Sequence, residues 1–181
     1  MLTSSSQGPA IRQLQRNINA RFEQLNMLAH SSVQVTGAFD SNTLLAVKYL
    51  QCLGGLQVDG RVNEPTQRFI EQGIPALEKL FIGSTGTAVR AVQRTLMAAQ
   101  ITAVADGKFG QFTELGVKRY QQSLGLTDDG IVGVKTWEKI VRSRLTTVPC
   151  IALLPNPYSI AQSTSTDQLH SVEQSVLNGK L

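Results

Sequence analysis

The sequence predicts an all-α protein: two tandem three-helix bundles, followed by a C-terminal tail of extended chain and one short helix. Two observations carry this expectation. One is an internal repeat, and the other is the recurrence of apolar residues at helical spacing inside each copy. Gly8-Pro9-Ala10-Ile11-Arg12-Gln13-Leu14-Gln15-Arg16-Asn17-Ile18 returns, at an offset of 78, as Gly86-Thr87-Ala88-Val89-Arg90-Ala91-Val92-Gln93-Arg94-Thr95-Leu96. Gly37-Ala38-Phe39 with Thr43, Val47-Lys48 and Gln51 returns at an offset of 70 as Gly107-Lys108-Phe109 with Thr113, Val117-Lys118 and Gln121. Gly55-Leu56, Asp59-Gly60, Val62 and Thr66 keep the offset of 70, matching Gly125-Leu126, Asp129-Gly130, Val132 and Thr136. The first copy therefore carries eight extra residues between Ile18 and Gly37.

Each helix has its own justification. In the second copy Ala88, Val89, Val92, Leu96 and Met97 form one apolar stripe, the first helix. Gly107 opens a turn, where a missing Cβ permits positive φ. Thr113 is expected to cap a second helix whose buried side holds Val117, Tyr120 and Leu124. Gly125 ends that helix, and Asp129-Gly130 marks a turn. A third helix is expected from about Lys135-Thr136, with Trp137, Ile140 and Val141 facing inward. The first copy repeats the pattern with Ile11, Leu14 and Ile18, then Leu44, Val47 and Leu50, then Phe69 and Ile70.

The expected divisions are residues 1–72, a connector 73–83, residues 84–145 and a tail 146–181. The connector region holds Ile74, Leu77, Leu80, Phe81 and Ile82, too apolar for a free linker, and is expected to lie between the copies. In the tail, Val148 to Pro155 is apolar and bounded by prolines. Leu169, Val172, Val176 and Leu177 suggest a short amphipathic helix, with Ser165 and Gln168 as its capping box.

Composition excludes several classes. The chain has 181 residues, 41% hydrophobic and 17% charged, with a net charge of +4. No run reaches the ~20 apolar residues of a membrane span. Residues 1–7 show no basic and apolar leader, so no secretory signal is expected. Two Cys and two His stand far apart at Cys52, Cys150, His30 and His170, which argues against a zinc site and leaves no metal or cofactor expected. Cys52 reads as a small buried apolar residue. A bridge to Cys150 would need the tail to fold back, and the missing leader argues against it. Neither a His-rich metal cluster, a carboxylate pair in a cleft nor a nucleophile elbow is visible, so no catalytic residue is expected and the chain reads as a non-enzyme. The basic residues, including Arg12, Arg16, Arg90 and Arg94, spread over helix faces without interleaved aromatics, against nucleic-acid binding.

The second copy resembles the peptidoglycan-binding domain family, a small three-helix module of cell-wall hydrolases. The resemblance rests on Gly83-Ser84-Thr85-Gly86 before Val89 to Leu96, on Asp106-Gly107-Lys108-Phe109-Gly110 with Thr113, on Val117 to Tyr120-Gln121, and on Gly125-Leu126 with Asp129-Gly130-Ile131-Val132-Gly133 and Thr136-Trp137. The first copy departs at Thr36 (Asp in the family), Asp40 (Gly), Asn63 (Gly) and Gln67 (Trp), and reads as a degenerate copy.

The resemblance implies a non-catalytic module that anchors itself or a partner to peptidoglycan, in a bacterial cell envelope or outside the cell. The competing reading is a docking component of a larger assembly, such as an envelope machine or a phage-tail-like particle. That reading draws on the missing leader, which allows assembly in the cytoplasm, and on protein contacts through residues 147–181. Candidate ligand residues are Asp106, Lys108, Phe109, Phe112, Thr113, Arg119, Tyr120, Asp129 and Trp137. Sugar rings favour an exposed aromatic platform. Phe109, Tyr120 and Trp137 fall on buried faces where packing competes with ligand contact, whereas Phe112 is the better exposed candidate. Asp106 and Asp129 also suit turn duty.

Overall fold

The computed structural model describes residues 6–27, 32–102, 104–145 and 150. Among them are six α-helices, which we number α1 (Pro9–Gln24), α2 (Ser41–Leu53), α3 (Glu64–Gln72), α4 (Thr87–Ala98), α5 (Gln111–Ser123) and α6 (Val134–Arg144). A 3-10 turn, Ile74–Ala76, follows α3. Helices α1–α3 form the first bundle and α4–α6 the second, as the repeat predicts. The tail beyond Cys150, its expected helix, and His30 and His170 lie outside the described residues.

The eight extra residues divide evenly. Helix α1 has 16 residues and α4 has 12, so four lengthen the helix by about one turn. The other four lengthen the loop before α2.

Each bundle is closed at one end by the same short pairing. Gln7 bridges Ala38 and Thr85 bridges Lys108, both antiparallel. The amide of Gly8 donates to Gly37 O at 2.8 Å, and that of Gly86 to Gly107 O at 2.9 Å. A third bridge, Leu80 to Val132, ties the connector to the turn before α6.

One core runs through both copies. Ile11, Ile18, Phe22, Tyr49, Leu50 and Phe69 fill the first bundle, and Val89, Val92, Leu96, Trp137, Ile140 and Val141 the second. Burial of Tyr49 pushes its hydroxyl pKa up to about 12. The copies touch tightly. A Cβ placed on Gly55 would stand 2.8 Å from Ala91 Cβ, and Gly55 adopts φ +66°, so contact and conformation both demand glycine. Trp137 donates its indole N–H to Glu78 O at 2.8 Å. Arg144, on α6, donates to Cys52 O at 2.7 and 3.1 Å and to Ala91 O at 3.2 Å, joining α2 to α4. Burial, then the nearby Arg94 charge, lower the Arg144 pKa to about 10.

Several expectations change. Cys52 and Cys150 form a disulfide across 98 residues of sequence, with Cα atoms 5.6 Å apart. The bridge places Cys150 at the end of α2, which sequence spacing could not reveal. Phe81 and Ile82 are exposed, because the chain turns there, whereas Ile74, Leu77 and Leu80 of that stretch join the core. Met97 and Leu124 are exposed at the ends of their helices rather than buried. Thr113 does not cap α5; Gly110 occupies that position.

Candidate functional site

Four glutamines organise the turns. Gln93 accepts the Gly107 amide on Oε1 at 2.7 Å. Its Nε2 donates to Asp106 Oδ1 at 2.9 Å, to Lys108 O at 3.0 Å and to Thr113 Oγ1 at 3.0 Å. Gln121 makes the same set with the Gly130 amide, Asp129, Ile131 O and Thr136. Gln51 does so with the Gly60 amide, Asp59, Arg61 O and Thr66. Gln15 does so with the Gly37 amide, Ala38 O and Thr43, and with Thr36 standing in for the aspartate at 3.3 Å. Each glutamine is buried, so each clamp satisfies polar groups that would otherwise be lost from water. The clamped glycines all have φ between +74° and +82°.

The clamps assign most of the motif to architecture. Asp106 and Asp129 hold their turns, as the turn reading allows. In each, the amide two residues on lowers the carboxyl pKa most: Lys108 N–H for Asp106 and Ile131 N–H for Asp129. The same cause lowers Asp59, through the Arg61 amide. Thr113 is buried as an acceptor of Gln93. Phe109, Tyr120 and Trp137 are buried core residues, so none offers a platform to a sugar. Sequence reading missed the role of the glutamines, although Gln15, Gln51, Gln93 and Gln121 recur in register with the repeat and carry the signal.

What remains open lies at the start of α5. Phe112 is 87% exposed and Val104 58%. With Thr102, Asp106, Lys108, Gly110 and Thr113 they line a cleft of about 320 Å³. Arg119 is exposed two turns along α5 from Phe112, on the same face. Asp129 belongs to the neighbouring turn and does not line this cleft.

The cleft sits over an uncapped helix end. Gly110 is the N-cap of α5 and supplies no side-chain hydrogen bond. Its φ is −96°, and a Cβ there would meet nothing within 4 Å, so neither conformation nor crowding calls for glycine. Gly133, at the start of α6, is the same. In the first copy Asp40 takes the place of Gly110 and accepts the Thr43 amide at 2.7 Å; Asn63 takes that of Gly133 and accepts the Thr66 amide at 3.1 Å. The second copy thus leaves helix N-terminal amides open to an anionic or carbonyl acceptor, beside a cation and an exposed ring. No group of three or more His, Cys, Asp or Glu that could hold a metal occurs among the described residues, and no described helix is long and apolar enough to cross a membrane.

Comparison with known proteins agrees with this architecture. The family model described as "Putative peptidoglycan binding domain" matches residues 7–70 and 85–140. The chain is 32% identical over 133 residues to the N-acetylmuramoyl-L-alanine amidase CwlM of Mycobacterium tuberculosis, covering 66% of this chain and 33% of that protein. It is 41% identical over 61 residues to the zinc D-Ala-D-Ala carboxypeptidase of Streptomyces albus G, covering 32% of this chain and 24% of that protein. The chain therefore spans a third or less of the curated relatives it matches. A solved peptidoglycan-binding protein from Clostridioides difficile, in complex with glutamine hydroxamate, shares 33% identity over 37% of this chain and 42% of that one, with a TM-score of 0.36. With its model matched over both repeats, the chain belongs to the peptidoglycan-binding domain family, which it carries in two tandem copies.

Proposed function

We propose that this chain binds peptidoglycan without catalysis through the cleft at the start of α5, and so holds itself or a partner on the cell wall. The observation that carries this is the glycine N-cap at Gly110, set beside exposed Phe112 and Lys108. Open amides and a lysine suit carboxylate and amide groups of the polymer, and the phenyl face suits the apolar side of a sugar ring. The first copy, capped by Asp40 and Asn63, serves as a scaffold.

The test is co-sedimentation of the full chain with purified insoluble peptidoglycan. Phe112→Ala should release at least about tenfold more protein into the supernatant, the scale expected for losing one aromatic anchor. Unchanged sedimentation of this variant, or full recovery of the parent protein in the supernatant at low salt, would sink the reading.

The Cys52–Cys150 bridge supports a location outside the reducing cytosol, in the cell envelope or beyond it. Trapping with a thiol-alkylating reagent in intact cells should find both cysteines protected until a reductant is added; prompt labelling would refute that location. The bridge also favours a second reading, in which residues 147–181 carry protein contacts, because it ties Cys150, within that segment, to Cys52. Truncation after Cys150 should then remove co-purifying partners while leaving wall binding intact.

A further inference from the structure

A second cleft, of about 400 Å³, lies between the copies and exists only because they are paired. Its floor is Leu77 of the connector with Ala88 and an edge of Trp137. Its walls bear Glu64 and Arg68 from α3 and Glu78 from the connector. Both faces are fixed by contacts already described: the Trp137 indole on Glu78 O, the Gly55 approach to Ala91, and Arg144 bonded to each copy. Such preformed clefts with an apolar floor and few convergent polar groups are the usual form of small-ligand sites.

The wall charges point to the ligand. Glu64 and Arg68 stand one helical turn apart at i and i+4, the spacing of a helix ion pair. Among the described residues they nevertheless form no salt bridge, in contrast to Glu114 and Lys118, which pair at the same spacing on α5. Both side chains are exposed at the cleft, so carboxylates and a guanidinium face the same small volume without being spent on each other. That arrangement complements a group carrying an ammonium and a carboxylate on one carbon, with a short aliphatic stem to lie on Leu77 and Ala88.

We infer that the inter-copy cleft binds a free α-amino-acid head group, and that its source is an uncrosslinked diamino-acid residue of a peptidoglycan stem peptide. The source, though not the head-group chemistry, rests on the wall-binding reading above. Arg68 takes the carboxylate, while Glu64 and Glu78 take the ammonium. A crosslinked residue, whose amine has become an amide, loses the ammonium and is rejected. The cleft thereby distinguishes open from crosslinked wall.

The probes are three soluble tripeptides: Ala–γ-Glu–diaminopimelate, the same peptide acetylated on its side-chain amine, and the lysine analogue lacking the side-chain carboxylate. Titration of the full chain is followed by the Trp137 indole and the Thr87 and Ala88 amide resonances. The first peptide should shift all three signals and bind about tenfold or more tightly than either of the others, the loss expected for one charge-assisted hydrogen bond. Arg68→Gln, at an exposed position, should abolish the preference for diaminopimelate over lysine. Equal affinity of the three peptides, silence of the cleft resonances, or an unchanged preference in Arg68→Gln would overturn the inference.

Two results separate it from the wall-binding reading. If sacculi bind through Phe112 while the cleft ignores the peptides, this inference falls and the other stands. If the peptide fills the cleft of a protein that ignores sacculi, head-group recognition stands and the wall-binding reading falls.

Discussion

The two copies share their clamps and differ in almost everything that could meet a ligand. Gln15 and Gln51 do in the first copy what Gln93 and Gln121 do in the second, each amide selecting the same carbonyl and threonine acceptors, with Thr36 alone replacing an aspartate. Yet Asp40 and Asn63 close helix ends that Gly110 and Gly133 leave open. On the third helix, buried Trp137 corresponds to exposed Gln67. The difference teaches that the repeat conserves the device that makes the turn and frees the positions around it. Trp137 is buried because the first copy covers it. The equivalent face of the first copy, with Gln13, Asn17, Gln67 and Glu71, is polar, and among the described residues it is not covered as Trp137 is.

The sharpest way to break this comparison is at the third-helix pair. Trp137→Ala should cost about 3 to 5 kcal/mol in urea unfolding, because it empties a fully packed site. Gln67→Ala should stay within about 0.5 kcal/mol, as a surface change does. Equal effects would mean that the copies are not distinguished by packing.

Next in size is the bridge between them. The double variant Cys52→Ala/Cys150→Ala should lose about 2 to 4 kcal/mol, read as a fall in thermal midpoint relative to the oxidised parent.

The clamps should instead behave alike. Gln51→Ala and Gln121→Ala should each cost about 1 to 3 kcal/mol, since each strands a glycine amide that Oε1 had satisfied. A large difference between the two would show that the shared geometry is not shared energy.

The caps give a smaller change with opposite signs. Asp40→Ala should cost about 1 kcal/mol, whereas Gly110→Asp should gain a few tenths of a kcal/mol, by about the known ranking of caps. Gly110→Asp should also weaken sedimentation with peptidoglycan, because its carboxylate would occupy the amides proposed for the ligand. A variant more stable and equally retained would separate the helix end from binding.

Acid should produce the gentlest contrast. Asp59, Asp106 and Asp129 have their carboxyl pKa lowered in the fold, so the stabilisation they give is complete above the unfolded value near 4 and is lost as pH falls through the folded one. Thr36 replaces the fourth aspartate and has no carboxyl to protonate. Hydrogen exchange at descending pH should therefore show both turns of the second copy loosening, but only the Asp59 turn in the first.

The helices and their pairing into two bundles were legible because the apolar periodicity and the repeat point the same way. The site was partly legible. Phe112 stands out as the exposed ring, and Asp106 and Asp129 read as turn residues. The glutamine clamps were not legible, since one glutamine on a helix says nothing until the turn it faces is in place. Met97 and Leu124 were misplaced because a helical stripe continues in sequence past the point where the neighbouring helix stops covering it. The Cys52–Cys150 pairing joins residues 98 apart in sequence, and no local pattern encodes it.

That pairing has a topological consequence. Residues 52–150 form a covalent ring that contains α3, the whole connector and the whole second copy. A protease that cuts once inside the ring, for example at the exposed turn of Phe81 and Ile82, opens it without releasing either fragment. The two pieces remain one molecule, held by sulfur where the backbone has been severed. Only a second cut or a reductant frees them.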